Sequence, residues 1–438
     1  MTTPSSARRA AAVATAALAC LALGPTAATL PPASAGSADQ GDGKVDKDVR
    51  FATFNASLNR LAAGQLVTDL STPTNQQARN VAEIIQRTAP DVLLVNEFDY
   101  YADGQAAELF RDNYLAVSQH GAPAADYPYY YVAPSNTGVP SGFDLDNNGL
   151  VGVPGTRDYG NDAYGFGDFP GQYGMVVYSK YPIVTDDVRT FANFLWKDMP
   201  GNKLPDDPAT DAPADWYSLA EQAVFRLSSK SHWDVPIRLA KNKTVHFLVS
   251  HPTPPVFDFA EDRNGTRNFD EIRFWADYIG TKQRSAYIYD DAGVYGGLHR
   301  GAKFVIAGDQ NSDPVDGDSI DGAIQQLLDH PRVDSRVTPE SAGAVEADGL
   351  QGGANVGQLN PEHDTADFDD ALSRKGPGNL RVDYVLPRKG MKVLDSAVFW
   401  PVQADPLFRL TGVFVFPQGF PTSDHRLVWI DVKLNHRH

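Results

Sequence analysis

Apolar residues in this chain gather into short unbroken runs, and each run ends on a polar group. Residues 49–57 alternate apolar and polar with Asn55 near their tip, and Val92-Leu93-Leu94-Val95 leads to Asn96 and Glu97. Residues 245–250 deliver His251, and Phe304-Val305-Ile306-Ala307 leads through Gly308 to Asp309, Gln310 and Asn311. Apolar runs of this length predict strands covered on both faces. Side chains alternate along an extended segment, so Asp309 and Asn311 should share one side while Gln310 points away.

Between the first two runs, residues 74–87 place Val81, Ile84 and Ile85 at helical spacing with Pro90 beyond, which predicts an amphipathic helix. Residues 269–289 and 320–328 read as helices in the same way. Further strands are expected at 173–178, around Ile183, and at 222–227, 233–237 and 393–399, with apolar closing segments at 381–387 and 423–430. Strand, helix, strand with polar strand ends is an α/β layout whose site lies at one rim of the sheets. Three stretches rich in Gly, Pro and Asp, 127–170, 197–215 and 337–379, lack periodicity and read as rim insertions of a single domain, 48–438.

Composition changes this picture at the N-terminus. Arg8-Arg9 precede an Ala/Leu run from 10 to 23, and Ala33-Ser34-Ala35 offers a cleavage site, so residues 1–35 are expected to be a secretory signal peptide and 36–47 a flexible leader. That run falls short of the ~20 residues a membrane span needs, so no stable membrane insertion is expected. The one cysteine, Cys20, lies inside this segment, which removes disulfide and thiol chemistry from the mature chain. A net charge of -17 opposes binding to a polyanion such as duplex DNA and favours cations.

The strand ends together present Asn55, Glu97, His251, Asp309, Asn311, Asp383, Asp424 and His425. Carboxylate and amide oxygens without cysteine are hard ligands, suited to Mg²⁺, Mn²⁺ or Ca²⁺. Such an ion amid acids and imidazoles can polarise a phosphoryl oxygen, orient water and stabilise a leaving alkoxide. The order of Phe54-Asn55, Asn96-Glu97, Ser250-His251-Pro252, Gly308-Asp309-Gln310-Asn311, Arg381-Val382-Asp383-Tyr384-Val385 and Ser423-Asp424-His425 resembles the endonuclease/exonuclease/phosphatase superfamily of deoxyribonuclease-I-like phosphoesterases.

The resemblance implies a four-layered α/β sandwich, two packed mixed β-sheets flanked by helices, with the site at one edge. It implies that Glu97 is the principal metal ligand, with Asn55 and Asp424 beside it, and that Asp309 orients and deprotonates the attacking water or binds a second metal. It further implies that Asn311 steadies the phosphoryl oxygen, that Asp383 fixes the tautomer of His425 beside the scissile phosphate, and that His251 is the second phosphate-contacting histidine. Two departures stand out. Phe98-Asp99-Tyr100-Tyr101 follows Glu97, and Gln172-Tyr173-Gly174-Met175 stands where related nucleases carry a Glu supporting the second histidine, which argues against His251 as a strong general acid.

Two lesser signals complete the inventory. Asp144, Asp146 and Asn148 match the start of a calcium-binding loop, though Gly155 occupies the closing position, so a structural Ca²⁺ site and an Asx-rich turn both stay open. Arg263 and Arg267, following His251, suit a phosphate or carboxylate fork, or surface ion pairs. The expectation is a secreted, monomeric, Mg²⁺- or Mn²⁺-dependent hydrolase of a small-molecule or lipid-headgroup phosphate mono- or diester. The alternatives are an extracellular nuclease, disfavoured by the acidic charge, and a non-catalytic Ca²⁺-dependent binding protein.

Overall fold

The computed structural model describes residues 48–433 apart from 102–103, 372 and 374–375. The expected signal segment and leader, 1–47, lie outside the described residues. The apolar runs become strands β1 (Val49–Leu58), β2 (Val92–Phe98), β3 (Tyr129–Tyr131), β4 (Met175–Ser179), β5 (Arg189–Thr190), β6 (His232–Ala240), β7 (Lys243–Ser250) and β8 (Lys303–Asp309). The C-terminal part adds β9 (Ala366–Asp367), β10 (Asn379–Leu380), β11 (Asp383–Pro387), β12 (Lys392–Val398) and β13 (Val428–Lys433). One sheet has the order β12-β13-β1-β2-β4-β3, the other β11-β8-β7-β6-β5, and β9 pairs with β10. Both large sheets are mixed, with β1 parallel to β2 and β7 parallel to β8.

The sheets pack face to face because their central strands are apolar on both sides. Phe51 of β1, Leu94 of β2, Phe247 of β7 and Val305 of β8 meet between the sheets. The opposite faces bury Phe54 and Val95 under Val81, Ile84 and Ile85 of the helix Gln76–Thr88. Leu248 and Ile306 are covered by Ile272 and Trp275 of the helix Arg263–Tyr278. Helix, sheet, sheet, helix is the four-layered sandwich expected above.

Several element boundaries differ from the sequence pattern, each for a physical reason. The helix expected at 269–289 occupies Arg263–Tyr278, since its first turns bury polar residues such as Asn268, Asp270 and Glu271 that read as solvent-facing. Residues 222–227 form no strand: Ser218 and Glu221 make a capping box over the helical turn Leu219–Gln222, and Arg226 contributes an isolated bridge to Leu195. Only Gln325–Leu328 of 320–328 is helical. The third insertion, expected to be irregular, holds the helix Ala342–Gln351, whose start is fixed by the Ser341 hydroxyl accepting from Ala344 N at 3.2 Å.

The polar strand ends gather at one rim, stitched by Asn96. Its Oδ1 accepts from Thr53 Oγ1 of the first sheet at 3.3 Å and from Asp309 N of the second at 3.4 Å. Register then sets Asn55 beside Asn96 and Asp309 opposite Asp383. β13 runs antiparallel to β1, so Ser423, Asp424 and His425, just before its start, arrive at the same rim.

Candidate active site

Glu97 stands at the tip of β2 with φ of 54°, a left-handed conformation that costs a non-glycine residue energy and persists where the surroundings over-determine it. Here two amides grip its carboxylate: Asn55 Nδ2 donates to Oε1 at 3.0 Å and Asn59 Nδ2 to Oε2 at 2.8 Å. Asn55 Nδ2 also donates to Asp309 Oδ2 at 3.1 Å, which ties the carboxylates of the two sheets to one amide. Asp309 Oδ2 in turn lies 3.3 Å from His251 Nε2 and 3.6 Å from His425 Nε2. His425 Nδ1 donates to Asp383 Oδ2 at 2.9 Å, which fixes its tautomer.

Asn55, Asp309, Asp383, His251 and His425 are almost wholly buried and Glu97 is partly buried, and the electrostatics follow from that. Burial raises the Glu97 carboxyl, and repulsion from Asp424 adds to it. Burial would raise Asp309 as well, but His425 and His251 outweigh it and hold Asp309 well below the usual carboxylate range. For His425, burial disfavours the charged form, while Asp383, Asp309 and Asp424 together overcome it and push the imidazole well above its ordinary value. His251 is the opposite case: burial, reinforced by Lys230, lowers it to about 4, so it is neutral at neutral pH. Two histidines on one carboxylate are thereby differentiated, one charged and one neutral.

The remaining expected residues divide into those at the rim and those elsewhere. Asp424 accepts from Ser57 Oγ at 3.2 Å beside this cluster. Asn311 does not continue the alternation of β8. The strand ends at Asp309, and Asn311 has φ of 50°, donating its backbone N–H to Asp309 Oδ1 at 2.9 Å and its amide to Pro252 O at 3.1 Å. Gln310 points away, as alternation requires, with its amide on Ser250 Oγ at 3.2 Å.

Arg267 is held inside the fold, and Arg263 is partly buried in an ion pair. Arg267 is buried in the fold, with its guanidinium donating to the carbonyls of Leu227, Tyr164 and Arg226 and lying over the Phe225 ring at 4.7 Å. Arg263 pairs with Glu261 rather than with Asp262 or Asp270. A guanidinium satisfied by carbonyls reads the same in sequence as one reaching for phosphate.

At the calcium-like loop, Asp144 and Asp146 converge with Asp162, each offering a carboxylate oxygen within 4.8 Å of the others. Asn148 caps the turn, its Oδ1 accepting from Leu150 N at 2.9 Å. Asp162 lay outside the sequence signal because it arrives from a separate part of the insertion. Its two oxygens already accept from Leu145 N and Gly152 N, both at 2.7 Å.

The two departures from the family pattern acquire physical roles. Asp99 accepts from Arg60 N at 2.7 Å and Tyr173 N at 3.1 Å, fastening the segment just before β4 to the chain just after β1. Gln172 donates to Arg60 O at 2.7 Å and accepts from Asp168 N at 2.6 Å, so it braces the same junction. Consistent with that substitution, His251 Nδ1 has no hydrogen-bond partner among the described residues.

Sequence reasoning missed Asn59, Thr365 and Lys230. The Thr365 hydroxyl donates to Asp383 Oδ2 at 2.9 Å while accepting from Val382 N and Asp383 N, both at 3.0 Å, and so orients the His425 partner. Lys230 is buried, its ammonium donating to Pro252 O at 3.4 Å; burial lowers its pKa against the pull of Glu271, Glu97 and Asp309. A lysine in the run Ser228-Ser229-Lys230-Ser231 carries no sequence signal of a site.

A family model described as "Endonuclease/Exonuclease/phosphatase family" matches residues 52–425, and the chain belongs to that family of metal-dependent phosphoester hydrolases. Solved structures similar to it include an endonuclease/exonuclease/phosphatase from Beutenbergia cavernae, at 16% identity and TM-score 0.45, covering 89% of this chain and 72% of that one. Sphingomyelinase C from Streptomyces griseocarneus is similar at 14% identity and TM-score 0.40, with 88% and 99% covered. TDP2 from Caenorhabditis elegans is similar at 15% and 0.38, with 88% and 74% covered. No curated protein matches the chain.

The donor set fits the divalent ion that the family uses. Glu97 is repelled by both Asp424 and Asp309, Asn55 ties Glu97 to Asp309 through its amide nitrogen while its oxygen accepts from Ser57 N, and there is no cysteine among the described residues. Hard oxygen ligands of this kind suit a small divalent cation. Asp309, Asp383 and His425 also have ligand atoms within 4.8 Å of one another, but His425 is already committed to Asp383 through Nδ1.

Proposed function

We propose that the chain is an exported phosphoesterase that hydrolyses a small or headgroup-type phosphate mono- or diester, using Mg²⁺ or Mn²⁺. The observation that carries this reading is the shared amide of Asn55, at 3.0 Å from Glu97 and 3.1 Å from Asp309 Oδ2, the same oxygen that lies 3.3 and 3.6 Å from the two histidines. Glu97 and Asp424 would hold the ion, with Asn55 positioning the Glu97 carboxylate; the ion when bound polarises the phosphoryl oxygen and makes bound water more acidic.

The chain's own groups supply the rest. Asp309, held ionised by its histidines, is a weak proton acceptor, so its part is to orient the attacking water in line with the leaving oxygen. His425, charged and steered by Asp383, faces the negative charge that grows on the phosphoryl group. Lys230 places a buried amine beside these groups, and the amide hydrogen of Asn311 not engaged by Pro252 is available to a phosphoryl oxygen.

The net charge of -17 favours a small ester over a long nucleic acid. Export is supported by Arg8-Arg9, the apolar run after them and Ala33-Ser34-Ala35. Three substrates test the reading with Mg²⁺ present: p-nitrophenyl phosphate, its bis-ester and supercoiled plasmid. Turnover of either ester without nicking supports it. Nicking at low salt would replace it with a nuclease, and no turnover alongside calcium-dependent thermal stabilisation would replace it with a binding protein.

A further inference from the structure

The two histidines of the site are each flanked by a loop that holds large apolar side chains out in solvent. Six and eight residues beyond His251, Phe257 and Phe259 are 84% and 86% exposed. Shortly before His425, Val413, Phe414, Val415 and Phe416 are exposed in succession, Phe416 at 85%. β7 ends and β13 begins at the rim that carries Asp309 and Glu97, so both loops leave from the edge where the site opens.

Neither loop is loose chain. Val415 and Gly419 exchange backbone hydrogen bonds of 3.1 and 2.8 Å, which makes 413–420 a tight hairpin tip. Its base is fixed by Phe420, packed edge-on against Phe414 at 5.7 Å and lying 5.3 Å from the guanidinium of Arg426, the residue after His425. The other loop is tied to the start of the helix Arg263–Tyr278: Asn264 N donates to Asp258 Oδ2 at 2.6 Å and Asn264 Nδ2 to Val256 O at 2.7 Å. Phe257 is held there at φ of 70°, a conformation a bulky residue adopts only where its neighbours impose it.

We propose that these two tips dock the rim onto the surface of a zwitterionic lipid assembly, bringing the site onto an ester carried in that surface. Several observations favour lipid over a protein partner. The aromatic rings stand far out in solvent on two separate loops, and aromatic and aliphatic residues presented in this way enter the boundary between headgroups and acyl chains. Residues 413–420 contain no charged side chain, so one tip can enter an apolar layer without desolvating an ion. The net charge of -17 opposes an anionic surface. Among the described residues no helix is long and apolar enough to cross a membrane, so the contact is peripheral.

This inference rests on the proposed phosphoesterase reading and narrows its substrate to an ester in a lipid phase, yet docking can be read without turnover. The test is flotation with phosphatidylcholine vesicles in the presence of a chelator, for wild type and the double variants F414S/F416S and F257S/F259S. Wild type should float, each double variant should lose about tenfold or more of the bound fraction, and hydrolysis of the soluble bis-ester with Mg²⁺ should be unchanged in both. Absence of wild-type flotation, undiminished flotation of both variants, or binding only to vesicles with added phosphatidylserine at low salt would overturn the proposal. Flotation that behaves as expected while no phosphate ester is hydrolysed upholds the docking and removes the phosphoesterase reading instead.

Discussion

Replacing Asp383 with Asn tests the electrostatic core of the site while leaving its shape intact. The Asp383 carboxylate is 1% exposed, receives His425 Nδ1 at 2.9 Å and is itself braced by the Thr365 hydroxyl at 2.9 Å. Two unit charges about 4 Å apart, at an effective dielectric of ~20, interact by about 4 kcal/mol. If that attraction is fully used in keeping His425 charged against the transition state, its loss corresponds to about 10³ in rate. Asp309 continues to favour the imidazolium in the variant, so the expected fall in kcat/KM lies at about 10²–10³. The assay is hydrolysis of bis(p-nitrophenyl) phosphate with saturating Mg²⁺ across a pH series. A histidine required in its charged form gives activity that declines as pH rises through its pKa, so the alkaline decline should move to lower pH in Asp383→Asn. A loss smaller than tenfold with an unmoved decline would show that the His425 charge is not what Asp383 provides.

Further outcomes follow from other residues. Arg267→Met leaves three carbonyls without their donor, so it should lower stability by about 3 kcal/mol in denaturant titration while the folded fraction keeps its KM; a raised KM at unchanged stability would return Arg267 to substrate binding. Thr365→Val keeps the shape but removes the hydroxyl on Asp383, and should reduce kcat about tenfold with little change in KM; unchanged kcat would refute its positioning role. His232, buried and held at about 3, donates from Nε2 to Glu271 O at 2.9 Å and accepts from Ser228 Oγ at 2.7 Å. Because its folded pKa is depressed, its contribution is complete above the unfolded value near 6.5 and is lost as pH falls toward 3. His232→Phe should therefore flatten the decline in stability between pH 6.5 and 4, and an unaltered slope would disprove the assignment.

What could be read from the residues alone was the alternation of buried strands and the polar groups that end them. Asn55, Glu97, His251 and Asp309 sit at tips that the apolar runs define, and the register of two sheets brings them to one rim. Asp383 and His425 belong to the closing apolar segments, and the family pattern gives them their roles as partner and phosphate-side imidazole. Boundaries failed where buried polar residues resemble exposed ones, as with Asn268, Asp270 and Glu271 in the helix Arg263–Tyr278. Glu271 accepts from Ser229 N at 2.6 Å and Thr253 N at 2.7 Å, bracing the segments that carry Lys230 and His251, a task visible only in three dimensions. Asn311 departs from strand alternation because β8 ends at Asp309 and the chain enters a left-handed turn two residues on. Lys230 and Arg267 show the converse limit: both are buried basic side chains, and only their surroundings distinguish one that feels Glu97 and Asp309 from one bound to carbonyls.

The most direct test of the central claim, that residues remote in sequence assemble one metal-dependent hydrolytic centre, is the bis-ester hydrolysis rate of chelator-stripped protein as Mg²⁺ is restored, for wild type and Glu97→Gln. Stripped wild type should be inactive and recover along a saturable curve, while Glu97→Gln should stay at least about 10²-fold lower at the same Mg²⁺. Full activity of the stripped protein, or an identical recovery curve in Glu97→Gln, would contradict the account.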